Sequence, residues 1–178
     1  MPQIKQVTLV TNQTFDPTRC RHYTNGVTTV LHCHHYASLY TQLADDATLF
    51  DGKTILRNTA ENSFYGVLQN YMVDQKISRR EDRVAAVEQY WAWCGMGELN
   101  ICDANQNNGR AEMTSSHVDA GWIKKWGKRD EPVNFITQGY LAAAWSVIWD
   151  TPMNTWQATE TQCLVSGAPK SVFTIGRK

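Results

Sequence analysis

The sequence predicts an α+β domain, an antiparallel sheet of about four strands with helices packed on one face. Three observations carry that prediction. Between residues 23 and 94 apolar residues recur at helical spacing. In the second half, strand-like segments pair around turn-forming clusters. Between the two strand pairs lies Asn134 to Trp149, a segment apolar nearly all round. The order is helices, strands, helix, strands.

Ile4 to Phe15 is rich in Val and Thr and reads as an extended entry segment, with Asp16-Pro17 as its turn. Residues 1–22 form an N-terminal arm of the single domain 1–178. A first helix is expected from Tyr23 to Leu43. Val27, Leu31, His35, Leu39 and Leu43 follow at i+4 and share one face, which is expected to meet the core. A second helix runs from Gly52 to Met72, with Ile55, Leu56, Ala60, Phe64, Val67, Leu68 and Tyr71 at helical spacing. A third runs from Ser78 to Cys94, with Ser78 and Glu81 as a capping box and Val84, Val87, Trp91 and Cys94 as its apolar stripe.

Gly95 and Gly97 stop that helix. Glu98 to Asp103 and Arg110 to Val118 read as a strand pair around Asn105 to Gly109. His117 to Gly127 is a short helix carrying Trp122 and Trp126. The buried helix 134–149 follows, ended by Pro152. Two final strands, Thr155 to Val165 and Ser171 to Ile175, flank the turn Ser166-Gly167-Ala168-Pro169.

Composition narrows the function classes. Lys plus Arg and Asp plus Glu both total 17, so the formal net charge is zero. That argues against a dedicated nucleic-acid binder. No run of about 18 apolar residues exists, so no membrane span is expected. The N-terminus lacks a signal-peptide core. Five scattered cysteines without a Cys-x-x-Cys pair indicate reduced thiols and a cytoplasmic location. Aromatic residues reach 11%, with seven Trp and seven Tyr. Trp91 suits a core stripe, but Trp93 cannot share its direction on a helix, and Trp122 and Trp126 lack a core stripe. These rings call for a ligand pocket or a homodimer face.

Chemistry-bearing residues cluster in Leu31-His32-Cys33-His34-His35-Tyr36, which holds three of the five histidines. On a helix, His32 and His35 at i, i+3 would share the apolar face. They could bind a metal ion, zinc or iron, with Glu61 from the next helix. Alternatively one of them is a general base, since an imidazole titrates near neutrality. They could equally be core histidines bonded to backbone or tyrosine. Cys33 is a candidate nucleophile, although its direction opposes the histidine face. His117 offers a base from another direction, or caps its helix. Tyr36, Phe64, Trp93, Trp122 and Tyr140 complete the expected ligand-binding set with Glu61 and His117.

The C-terminal third has a distinctive layout. Gly139-Tyr140-Leu141-Ala142-Ala143-Ala144 opens the buried helix. Glu160-x-x-Cys163-x-x-x-Gly167 follows, and then Ser171-x-Phe173-x-Ile175. This resembles the 4-vinyl reductase-like domain, a small-molecule or hydrocarbon-binding module whose fold is shared with subunits of the Golgi transport-tethering complex. The resemblance covers about the last 130 residues, and its specific part is the C-terminal layout just quoted. It implies a pocket between helices for an apolar or aromatic small molecule. In metal-bearing members a Glu and several Cys hold zinc; Glu160 and Cys163 match two such positions. Ser171 stands where a later Cys is expected, and no Cys lies between Cys102 and Cys163. A weaker similarity to small bacterial hydrolases that open aminothiazoline rings supports an alternative, a hydrolase or lyase acting on a small heterocycle.

Overall fold

In the computed structural model, residues 8–30 and 32–178 are described. The first described elements form a small antiparallel meander: β1 (Gln13–Asp16), β2 (Arg21–Thr24) and β3 (Val27–Thr29). The β2–β3 turn is made by Asn25 and Gly26, with φ of 48° and 80°. Two consecutive positive φ values match the twist of a tight hairpin, and Asn-Gly is the pair that tolerates them. This corrects the expected helix start at Tyr23. Of the extended entry segment, residues 4–7 lie outside the described residues, as does Leu31 of the expected apolar stripe.

Helix α1 (His34–Asp46) therefore starts eleven residues later than expected. His32 precedes it, so His32 and His35 are not an i, i+3 helical pair. Its inward face also differs from expectation. Ala37, Ser38 and Thr41 are buried, whereas Leu39 and Leu43 are exposed. Helix α2 (Gly52–Asp74) is capped by Asp51, whose carboxylate accepts from Thr54 N at 2.9 Å. Helix α3 (Arg80–Trp93) has Arg79 at its N-cap and no side-chain cap, so the Ser78–Glu81 capping box does not form.

β4 (Gly97–Ala104) and β5 (Asn108–Ser116) make the expected hairpin. Asn105 Oδ1 closes its loop by accepting from Asn107 N and Asn108 N, both at 2.9 Å. Helix α4 (His117–Trp126) follows directly, with Ser116 Oγ accepting from Asp119 N at 3.1 Å. Helix α5 (Phe135–Ile148) is buried at nearly every position, as its composition requires. β6 (Trp156–Gln162) and β7 (Ser171–Arg177) complete a four-stranded antiparallel sheet in the order β4-β5-β7-β6. The expected strand 155–165 is shorter because Leu164–Ser166 form a 3-10 turn.

The sheet has one buried side. Ala111 and Met113 of β5, Trp156, Ala158 and Glu160 of β6, and Phe173 and Ile175 of β7 are buried, with exposed residues between most of them. Helix α5 packs against α2 and against β6. The α2–α5 approach depends on Gly139. A Cβ there would lie 2.7 Å from Ala60 Cβ and 2.9 Å from Glu61 N, and would strike Arg57 O. The observed architecture is the α+β class with a four-stranded antiparallel sheet, plus the separate three-stranded meander. Among the described residues, no helix is both long and apolar enough to cross a membrane.

Candidate functional site

Three places in the fold hold the chemistry that the sequence singled out: an aromatic interior, a histidine cluster and a buried polar node. The aromatic interior joins three helices. Phe64 on α2, Trp91 on α3 and Tyr140 on α5 form a ring cluster. Trp91 and Tyr140 centroids are 4.4 Å apart, Phe64 and Tyr140 4.9 Å, and Phe64 and Trp91 6.0 Å. Trp91 and Tyr140 are fully buried, whereas Phe64 is half-buried and marks the solvent side. The Tyr140 hydroxyl donates to Val87 O. Burial pushes its pKa well above the usual tyrosine value, with Cys94, Tyr90 and Glu88 adding to the rise.

Next along α5, Trp145 is also fully buried and lies over Gly109 of β5, where any side chain would strike the indole. Buried Glu88 accepts from Ile101 N at 2.6 Å, tying α3 to β4. Trp91 Nε1 and Trp145 Nε1 are buried donors with no hydrogen-bond partner among the described residues. A buried, unmade hydrogen bond costs about 1–3 kcal/mol, and natural interiors hold few of them.

The histidine cluster sits where α1 and α4 begin. The His32 ring lies 5.4 Å from His117, His34 lies 6.0 Å from His117, and His34 and His35 are 4.2 Å apart. Cys33 Sγ is 3.9 Å from His35 Nδ1. His34 Nε2 and His117 Nε2 are buried and lack partners among the described residues. Burial lowers the His117 pKa, aided by His32 and His34 and opposed by a bond to the Cys33 backbone. Burial also lowers that of His34, aided by His35 and Lys124. His117 borders a surface groove of about 430 Å³ with Ser115, Ser116, Asp119 and Ile123. Ideal helical direction turns His34 sideways from the expected apolar face, yet the structure makes it central. His32, Cys33, His35 and Tyr36 are exposed rather than facing the core.

The buried polar node lies between α4, α5, β6 and β7. Asn134 Nδ2 donates to Asp119 Oδ2 at 2.7 Å and to Glu160 Oε1 at 2.8 Å. Ser116 Oγ donates to Asn134 Oδ1 at 2.9 Å, and Val165 N donates to Asp119 Oδ1 at 2.9 Å. Burial pushes the Glu160 carboxyl up to about 7, against lowering by Ser171. Burial raises Asp119 as well. The resemblance implies zinc at Glu160 and Cys163. The residues present do not fit it. The Asn134 amide, an N–H donor, occupies Glu160 Oε1 and Asp119 Oδ2. Ser171 Oγ accepts from Leu164 N at 3.1 Å. Among the described residues, no group of three His, Cys, Asp or Glu side chains is placed to hold a metal ion.

The remaining expected residues scatter. Glu61 is buried on α2, accepting from Asn154 N at 2.7 Å and pairing with Lys178 at 3.3 Å, so it does not join the histidines. Trp93 is half-buried, its ring 6.1 Å from that of Tyr90. Trp122 is buried between the Trp126 ring at 4.5 Å and the Arg129 guanidinium at 4.6 Å. The sequence reading missed Trp145, Glu88, Asn134 and Asp119. Each was legible only as a polar or aromatic group inside a buried segment.

No known family pattern matches the chain, and no curated protein matches it. Several solved structures do. One is the phenol-responsive sensory domain of the transcription activator PoxR with phenol. It is 13% identical, with a TM-score of 0.76, covering 93% of this chain and 84% of that one. Another is trafficking protein particle complex subunit 3 from Naegleria fowleri, covalently bound to palmitic acid. It is 9% identical, with a TM-score of 0.54, covering 82% of this chain and 95% of that one. A vinyl-4-reductase family protein from Methanocaldococcus jannaschii is 13% identical, with a TM-score of 0.43, covering 81% and 92%. At these identities the likeness is one of fold. The chain has the fold shared by the sensory domain and the trafficking subunit, the fold its C-terminal motif implied.

Proposed function

We propose that this chain is a small-molecule-binding module that takes an apolar or aromatic ligand into the interior between α2, α3, α5 and the sheet. The observation that carries the reading is that two buried indole donors, Trp91 Nε1 and Trp145 Nε1, lie in an otherwise apolar cluster with no partner among the described residues. A ligand bearing one acceptor and an apolar body would satisfy a donor and keep the burial. The phenol-bound sensory domain of the same fold supports this choice. All five cysteines are unpaired, which suits a reducing cytoplasm.

The test is calorimetry and tryptophan fluorescence with phenol, indole and naphthalene as probes. Saturable binding is expected, weakened about five- to tenfold for phenol by the one of Trp91→Phe and Trp145→Phe that removes the donor to the ligand's acceptor, one lost hydrogen bond. Naphthalene, which has no acceptor, is expected to be insensitive to either change. Absence of saturable binding to every probe refutes the reading.

A second reading, histidine-base hydrolysis of a small heterocycle, is supported by His117 beside the 430 Å³ groove with its pKa lowered by burial. Turnover of activated esters or thiazolines that vanishes in His117→Ala would support it. A rate equal to that of buffer would refute it.

A further inference from the structure

Away from the aromatic interior and the histidine cluster, a groove of about 300 Å³ runs between α2, α5 and the edge strand β6. Arg57, Asn58 and Glu61 reach it from one face of α2, at i, i+1 and i+4. Helix α5 lines it with Gln138 and Ala142, β6 with Ala158, and Lys178 borders it after β7. Gln138 and Tyr140 are two positions apart, about 200° round α5. The groove and the ring cluster therefore lie on opposite sides of that helix.

Two polar side chains in the groove are left without an internal task. Gln138 is only 5% exposed. Its backbone N–H bonds to Asn134 O within the helix, but its side-chain amide has no hydrogen-bond partner among the described residues. Burying a primary amide is costly unless something meets it. Arg57 donates to Thr54 Oγ1 at 2.6 Å and has no carboxylate partner among the described residues. A guanidinium carries five N–H groups, so most of them remain to be used. The acids around it are engaged elsewhere. Asp51 accepts from Thr54 N at 2.9 Å and from Thr54 Oγ1 at 2.5 Å. Glu61, one turn beyond Arg57, accepts from Asn154 N at 2.7 Å and pairs with Lys178 at 3.3 Å.

We infer that this groove is a second binding site, for a small monocarboxylate held by the Arg57 guanidinium and the Gln138 amide. A guanidinium matches the two coplanar oxygens of a carboxylate, and the amide adds N–H donors from the facing helix. Charge selects the same class. Arg57 and Lys178 are the cations of the groove and Glu61 is its acid, so one further negative charge balances it. A phosphate dianion would set a surplus charge beside Glu61. Ala142 and Ala158 give the ligand's hydrocarbon end an apolar wall. The volume stands at the small end of ligand sites, which suits an acid with a single ring or a few carbons. The inference does not rest on the interior ligand proposed above.

The test is titration calorimetry of the full chain at about pH 7.5, where carboxylic acids are ionised, with benzoate, methyl benzoate and inorganic phosphate as probes. Saturable benzoate binding is expected, with a Kd of about 1 mM or below, and at least about tenfold weaker binding of the uncharged ester and of phosphate. Arg57→Gln, which removes the charge, is expected to weaken benzoate about tenfold or more. Gln138→Leu is close in volume and is expected to weaken it about five- to tenfold. Its melting temperature should stay at or above that of the parent, because the amide it removes bonds nothing inside the fold. Trp91→Phe and Trp145→Phe should leave benzoate unchanged, and Arg57→Gln should leave phenol unchanged, so failure at one site is read apart from failure at the other. Absence of saturable benzoate binding, equal binding of the ester, tighter binding of phosphate, or an affinity unchanged in Arg57→Gln overturns the inference. So does a Gln138→Leu protein that melts well below the parent, which would give the amide a structural partner.

Discussion

Replacing Glu160 by Gln probes the buried node that stands where the resemblance implies zinc. The Glu160 carboxyl is 6% exposed and held by Asn134. Its pKa rises from 4.5 to about 7 on folding, chiefly because burial disfavours the charge. The folded chain therefore keeps a proton that the unfolded chain has released. The stability from this group is complete below about pH 4.5 and is lost as the pH rises through about 7. The rise from 4.5 to about 7, at about 1.36 kcal/mol for each tenfold change in proton affinity, amounts to about 3 kcal/mol. About 2.5 kcal/mol of that falls between about pH 5 and about pH 8.

The amide side chain of the Glu160→Gln variant keeps an oxygen for the Asn134 amide and carries no charge. Urea unfolding of the parent and of the variant at about pH 5 and about pH 8 should show the variant's advantage growing by about 2.5 kcal/mol with pH. Titrating groups outside the node cancel in that difference. They include Asp51, Glu112 and Glu131, whose pKa values are lowered mainly by side-chain hydrogen bonds to Thr54, Lys170 and Lys53. Parallel pH profiles for the two proteins would show that Glu160 does not hold a proton in the folded state.

Further outcomes follow from the same geometry. Asn134→Ala removes three buried hydrogen bonds and leaves Asp119 and Glu160 facing each other. The expected loss is about 3–5 kcal/mol at neutral pH, smaller in acid, where a proton can separate the carboxylates. Gly139→Ala must spread α2 from α5, because the new Cβ would sit within 3 Å of Ala60 Cβ and Glu61 N. A loss of about 1–3 kcal/mol in urea is expected, and an unchanged midpoint would contradict the close approach. His117 has a lowered pKa through burial, so its stabilisation is present above about pH 6.5 and is lost as the pH falls below that. Thermal melting from about pH 7.5 to pH 5.5 should decline less steeply in His117→Asn than in the parent.

Period and turn chemistry made much of this fold legible in the sequence. The second strand pair, the β4–β5 hairpin and the buried α5 follow from alternation, from the Asn-rich loop, and from a segment with no polar face. Asn25-Gly26 carried an equally local signal for the β2–β3 hairpin. The i+4 apolar series through Val27 overrode it, because such a series on its own also fits a helix. The ends of helices were less legible. Ser78 could have formed a capping box, but capping depends on where the chain turns, and here it turns at Arg79.

What the sequence alone determined was therefore class, strand pairing and the identity of the buried helix. These depend on interactions between residues near in the chain. Tertiary structure decided which way each face points and which distant polar groups meet. Periodicity places Tyr36, Leu39 and Leu43 together on α1 but does not say whether that face meets the core. The small side chains of Ala37, Ser38 and Thr41 allow close packing on α4 and α2, and they turn the larger ones outward. Asp119, Asn134 and Glu160 are separated by 15 and 26 residues and meet only when α4, α5 and β6 converge. Burial then sets their charge, because the cost of ionising a carboxyl is fixed by what surrounds it, and in this node that is supplied by residues far away in the chain.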